Sequence, residues 1–435
     1  MPVTLSQFAQ NITVETAFNV LARAKRLIAD GKDVIELEIG DSPFPTTAAA
    51  KQGGLEAIRG DRSHYCPSAG LPEFRKAASD FVNEQYGLAT TAENVVAGPG
   101  AKIFELLFCE AFIDPGDGVL VFSPYFPTYL PNIARRGGRA WLADLKFQRQ
   151  FRPDPEDVRR FVAEDPHPKA IFLNSPHNPT GGVAEMEDLE AIAEIVRGRD
   201  VAVFSDEPYD RMVWRGRHHT IAALPGMLEQ TVAAYTFSKS YSMSGWRLGY
   251  AVASPEVAEM LAKLVNTSLS CTPPMSQLAG IAALEHDEEE SRQTMALFRR
   301  KVEILVKGLN RIDGVACLDP GGTFYVFPSV AAVCNRLGIT SHGLAMYLLE
   351  AADDRLGVAC LGGECFGEAG AGFLRFSCAE PDERLQQAIE FLPEVFSRTE
   401  RVAAFLAANP KHRLAGPYAT SSATPDGHIG RSDRK

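Results

Sequence analysis

The 435-residue chain has no Cys-x-x-Cys pair, no apolar run near the ~18 residues of a membrane span, no basic excess and no Gly-x-Gly-x-x-Gly turn. Each absence removes a class of function. The eight cysteines, at 66, 109, 271, 317, 334, 360, 365 and 378, are scattered. That argues against a zinc or disulfide framework, so no metal is expected, and for buried thiols in a reducing cytoplasm. No membrane partner is expected, and the opening MPVTLSQFAQNITVET lacks the basic and apolar blocks of a secretory leader. Lys and Arg number 44 against 55 Asp and Glu, a net charge of −11, with a pI near 5.4. Nucleic acid and anionic membrane surfaces want a basic face, so neither is an expected partner. The missing glycine fingerprint speaks against a nicotinamide dinucleotide site. No internal repeat divides the chain.

What is present is the composition of a globule, 45% hydrophobic and 23% charged, in a chain long enough for two or three domains. Short apolar runs recur: VVA (95–97), VLVFS (119–123), AIFLN (170–174), VAVFSD (201–206), VAAYTF (232–237) and LGYAVA (248–253). Runs of this kind suit strands buried on both faces, with helices such as 102–112 and 186–197 between them, so a largely parallel central α/β sheet is expected. From about 286 to Asp313-Gly314 the pattern predicts one long amphipathic helix. Beyond it, CLDPGGTFYVFP and GAGFLRFSCA around a helix near 341–352 predict a smaller α+β domain. The expected division is a large domain over 48–300, a small one over 301–400, and a tail over 401–435. That tail is rich in Pro, Gly, Ser and Thr and is expected to be disordered.

Four segments follow predicted strands, at the sheet end where ligands gather. GPGAK (98–102) turns from strand to helix, where Gly100 and Ala101 would offer N–H groups to an anion and Pro99 only shapes the turn. NSPHNPTGG (174–182) is forced into a loop that exposes Asn174 and Asn178, or is merely a turn with self-bonded asparagines. SDEPYD (205–210) sets Asp206 at a strand end, where burial demands a cation or donor. SKSYSMSGWRLGY (238–250) sets Lys239 after another strand, with Arg247 eight positions on. One chemistry needs all of these parts. Pyridoxal phosphate absorbs the electrons of a carbanion, and requires a lysine for its Schiff base, an acid at its ring nitrogen and donors for its phosphate.

In order and spacing NSPHNPTGG, SDEPY, SKSYSMSGWRLGY and a late FLRFS resemble the fold-type I pyridoxal-phosphate aminotransferases of the aspartate aminotransferase class, over roughly residues 12–400. The resemblance implies pyridoxal 5′-phosphate as cofactor, a homodimer with shared active sites, small amino-acid and 2-oxo-acid substrates, and a segment 1–47 associated with the small domain. By it Lys239 would bind the cofactor and shuttle the α-proton, and Asp206 would pair with the ring nitrogen. Asn178 and Tyr209 would hydrogen-bond the phenolic oxygen, and Tyr125 or Phe126 would stack on the ring. Gly100, Ala101, Ser238 and Arg247 would hold the phosphate with help from Lys102, and Tyr65 would reach the phosphate of the neighbouring subunit. Arg375 would grip the substrate α-carboxylate beside Gly40. The chain departs from its relatives in having Phe126 where many carry tryptophan, Ala101 after the glycine turn with Lys102 displaced by one, and GDSPF in place of G-x-P-D. Aspartate is the expected donor and 2-oxoglutarate the acceptor, with aromatic and small neutral amino acids as competitors. Elimination or decarboxylation on the same scaffold, and a non-catalytic ligand-binding regulator, stay open at this point.

Overall fold

A computed structural model describes residues 3–12 and 15–421. Strand β1 (Asp33–Glu36) stands apart from the main sheet, which begins with β2 (Val95–Gly98) and β3 (Gly118–Ser123). It continues with β4 (Arg139–Asp144), β5 (Pro168–Asn174), β6 (Ala202–Asp206), β7 (Thr231–Thr236) and β8 (Gly249–Val252). The spatial order is β2-β8-β7-β6-β5-β3-β4. Only β8 runs antiparallel to its neighbours. The apolar runs fill this sheet from both sides. On one face Phe172 and Phe204 pack against Phe104, Leu107 and Phe108 of the helix Lys102–Phe112. On the other, Ile171 and Val203 meet Leu189 and Ile192 of the helix Met186–Val196. Strand β6 lies at the centre, so its carboxyl end is flanked by strands on both sides.

The smaller unit carries β9 (Tyr325–Val326), β10 (Leu356–Ala359), β11 (Leu361–Gly362) and β12 (Leu374–Ser377). Strands β11, β12 and β9 form an antiparallel sheet, while β10 pairs in parallel with the distant β1. Phe298, Val302, Leu305 and Leu309 of the helix Glu288–Leu309 supply its core, with Phe324, Leu344 and Tyr347. The expected boundary at 300 therefore falls inside one continuous helix. The helix also starts later than its apolar pattern suggests. Asp287 ends a separate helix, Pro274–His286, and its carboxylate accepts the amides of Ala49 and Ala50 (both 3.0 Å).

One strand was not expected, and one further expectation is corrected. Strand β4 escapes the sequence pattern because it lies at the sheet edge with only Ala143 buried. The chain after 400 is not a disordered tail as far as it is described. Thr399–Ala408 is a helix that buries Val402, Phe405 and Leu406 against the small core. Beyond it Arg413 bridges to Ile339, and the Tyr418 hydroxyl donates to Glu364 (2.9 Å). Three apolar side chains on one helical face dock this segment in spite of the loop-like composition that follows it. Residues 422–435 lie outside the described residues. No described helix is long and apolar enough to cross a membrane.

Phe405 is 6% exposed. Phe405→Ala should therefore lower stability by about 3–5 kcal/mol, read as a fall in the urea midpoint. An unchanged midpoint would return this segment to the status of a tail.

Candidate active site

The carboxyl ends of β5, β6 and β7 open into a cavity of about 480 Å³, within the ~300–1,000 Å³ usual for small-molecule sites. Asp206, the last residue of β6, is 4% exposed, and the Tyr129 hydroxyl donates to its carboxylate. Burial holds the Asp206 carboxyl at about 7, against the pull of the Tyr129 hydrogen bond and the positive charge of Lys102. Glu105, one turn beyond Lys102 on the same helix, also lines the cavity. Burial first, and the negative charge of Asp206 second, push its carboxyl well above the usual range. Lys102 pulls both carboxyls down, but burial outweighs it at each.

Lys239 lies in the turn after β7, and its Nζ donates to the Gly40 carbonyl (2.5 Å). It stands 5.9 Å from the centre of the Tyr209 ring and 5.7 Å from that of Phe324. The Tyr209 hydroxyl donates to that of Tyr325 (3.1 Å), and burial raises it well above its usual pKa. A Cβ on Gly40 would lie 1.6 Å from the Tyr325 hydroxyl. Glycine is required here to admit Tyr325.

At the turn before the helix Lys102–Phe112, Gly100 has φ +89°, and a Cβ there would come within 2.9 Å of the Arg247 guanidinium. The Gly100 N–H is not free as expected, since it donates to the Gly98 carbonyl (2.8 Å). That leaves Ala101, at the helix N-cap, and the first-turn amides that lack intrahelical acceptors. Arg247 donates to the carbonyls of Ser244 (2.7 Å) and Pro99 (2.9 Å), which lays its charge against this turn. Ser238 is buried, and Thr236 donates to its hydroxyl (2.9 Å). Phe126 forms part of the wall, with Lys102 Nζ 5.0 Å from its ring centre.

At the other end Arg375, on β12, donates to Asn178 Oδ1 (3.0 Å) and to the Glu38 carbonyl. Its Nε is buried without a hydrogen-bond partner among the described residues. The guanidinium carbon lies 4.3 Å from the Tyr325 ring centre and 5.0 Å from that of Phe366.

Gly40, Gly100, Ala101, Lys102, Phe126, Asn178, Asp206, Tyr209, Ser238, Lys239, Arg247 and Arg375 thus share one cavity, as the sequence leads one to expect. Two others do not. Tyr125 is turned away from the wall: its N–H donates to the Phe366 carbonyl (2.8 Å), and its ring lies against Gly367. Tyr65 is 89% exposed, outside the cavity of its own chain. Sequence reading misses Glu15, Glu105, Tyr129, Thr236 and Tyr325. Glu105 was within reach of it, since helical spacing from Lys102 sets both on one face. Among the described residues no cluster of three or more His, Cys, Asp or Glu is arranged to hold a metal ion.

Residues 32–392 match the family model of class I and II aminotransferases. The chain belongs to this family. A probable aspartate/prephenate aminotransferase of Aquifex aeolicus is 34% identical over 389 residues, 88% of this chain and 96% of that one. An arginine–pyruvate transaminase of Pseudomonas aeruginosa is 30% identical over 88% of this chain and 95% of its own. The structure of Thermus thermophilus aspartate aminotransferase with maleate superposes with a TM-score of 0.83 at 32% identity, over 91% of this chain and 100% of that one. The protein is a pyridoxal-phosphate-dependent aminotransferase with the fold of that structure. The cavity fits the cofactor in its donor set: a buried acid awaiting a cation, a primary amine, and a guanidinium laid along a glycine turn that a Cβ would disrupt.

In the cofactor-free protein the raised Asp206 pKa has a defined sign. The folded state keeps a proton between the 3.8 of an ordinary aspartate and about 7, so this residue's contribution to stability falls as pH rises through that window. Asp206→Asn should flatten part of the decline of the urea midpoint between about pH 4 and 7. An unchanged slope would assign the proton elsewhere.

Proposed function

We propose that Lys239 carries the cofactor covalently and moves the proton at the substrate α-carbon, with the Gly40 carbonyl as its resting acceptor. Bound, pyridoxal phosphate supplies an electron sink conjugated to the amino group. Asp206 serves the ring nitrogen, where a protonated ring would relieve its buried charge. The Asn178 amide nitrogen and Tyr209 serve the phenolic oxygen, and Phe126 covers the ring. Ala101, Ser238 and Arg247 hold the phosphate, and Gly100 serves by the room it leaves. Arg375 presents two directions of its guanidinium fork to the α-carboxylate, which a lysine could not reproduce.

One observation carries the substrate reading. The side-chain cations that line the cavity are Lys102, Lys239, Arg247 and Arg375. The cofactor and the α-carboxylate commit three of them, and Lys102 is left for a second carboxylate. Aspartate is therefore the proposed donor and 2-oxoglutarate the acceptor, in keeping with relatives named aspartate aminotransferase. Tyr65, exposed on its own chain, completes the phosphate site of a second copy in a homodimer. Eight free cysteines suit a reducing cytoplasm.

Lys102→Ala should cost about 10- to 100-fold in kcat/KM for aspartate, the size of a lost charged hydrogen bond, and far less for phenylalanine. If wild type does not prefer aspartate to alanine, phenylalanine and arginine, the substrate reading fails. Mixing Lys239→Ala chains with Tyr65→Ala chains, each crippled alone, should restore part of the activity as subunits exchange. A fully active monomer by light scattering would remove the shared site.

A further inference from the structure

Lys102, the cation assigned above to the substrate's second carboxylate, already has a carboxylate on it. Glu15 accepts a hydrogen bond from Lys102 Nζ, and both residues line the active-site cavity. Glu15 occupies the N-cap of the helix Thr16–Ala29, yet its side chain makes no capping bond there. It reaches instead across the cavity to the first residue of the helix Lys102–Phe112. Its side chain is 15% exposed and that of Lys102 46%. A carboxylate so withdrawn from water needs the cation it meets. The two partners also hang on different elements. The helix that follows Glu15 buries Val20 and Ala24 and is tied to Glu350 by Arg23 (2.6 Å), whereas Lys102 belongs to a helix on the large sheet. Glu15 can therefore leave without moving Lys102.

We infer that Glu15 is the protein's own stand-in for the second carboxylate of a substrate: it keeps Lys102 paired when the bound substrate is neutral and yields it when the substrate is acidic. The inference rests on Lys102 as the distal cation. A site whose cation is stranded by a neutral side chain rejects that substrate strongly. An internal carboxylate removes the penalty, and an acidic substrate must first displace it, so the same residue weakens the preference for acids. Glu15 thus narrows the discrimination between acidic and neutral substrates and lets one pocket process both, as any transaminase with unlike donor and acceptor must.

The test compares wild-type holoenzyme with Glu15→Gln and Glu15→Ala. Calorimetry gives the affinity for succinate and butyrate, which differ by one carboxylate, and kinetics give kcat/KM for aspartate and phenylalanine. Removing the charge of Glu15 should tighten succinate about two- to fivefold, as befits a partly exposed ion pair, with butyrate changed by less than half that factor. The aspartate-to-phenylalanine ratio should rise by a similar factor, and adding Lys102→Met should abolish both gains. An unchanged or lower succinate-to-butyrate ratio overturns the inference. So does a selective loss of arginine as donor, which would make Glu15 a direct ligand for a cationic side chain. If Lys102→Ala leaves succinate affinity unaltered, the distal-cation reading falls and this inference with it. If Lys102 matters and Glu15 does not, only the inference falls.

Discussion

A carboxyl taken out of water at the centre of a sheet is the constraint around which the rest is arranged. Asp206 can occupy its place only because β6 has strands on both sides and β5 and β7 stay in register with it, Asn174 opposite Asp206 on one side and Ala234 on the other. Tyr129 meets one of its oxygens, and Glu105 adds a second acid to the same low-dielectric region. Such an arrangement is costly for the empty protein and favourable once a cation docks. The other walls follow the same logic with the opposite sign. Arg247 is laid beside a turn, and the buried Nε of Arg375 has no hydrogen-bond partner among the described residues. The cavity is a set of charges arranged to be completed by ligands.

Completion also joins the two units of the fold. Arg375 comes from the small antiparallel sheet, but its hydrogen bonds run to Asn178, on a loop of the large sheet, and to Glu38, beside the N-terminal strand. Tyr325 of β9 touches Tyr209 and lies over Gly40. Arg375 therefore sits where three remote stretches of chain converge, and a change in any of them alters the reach of its guanidinium.

Much of this was legible from sequence, for physical reasons that differ from residue to residue. Strands buried on both faces announce themselves as continuous apolar runs, so β5, β6 and β7 and the polar residues at their ends could be found together. Lys239 and Asp206 were legible because one chemistry requires an amine and an acid at such ends, and both line the one cavity. Strand β4 was hidden because an edge strand need not be apolar, and the helix after 399 because it is short and runs straight into a stretch rich in Pro, Gly, Ser and Thr. The orientation of Tyr125 against Phe126 depends on how the loop after β3 meets Phe366, a contact across more than two hundred residues. Glu15 and Tyr129 carry no local signal at all, for their partners are set by tertiary packing.

The pairing of β1 with β10 has a consequence for how the chain is made. Strand β1 ends at residue 36, and its partner is not complete until residue 359. At roughly 5–20 residues per second, the ribosome needs from about a quarter of a minute to a minute to synthesise the stretch between them. During that time β2 to β8 emerge and can close their own sheet, because every strand of it lies between residues 95 and 252. The N-terminal strand must wait beside a finished large unit with its edge unpaired and Ile35, which packs into the small core, uncovered. The order of translation therefore lets the large sheet close first and adds β9 to β12, and the pairing of β1, afterwards.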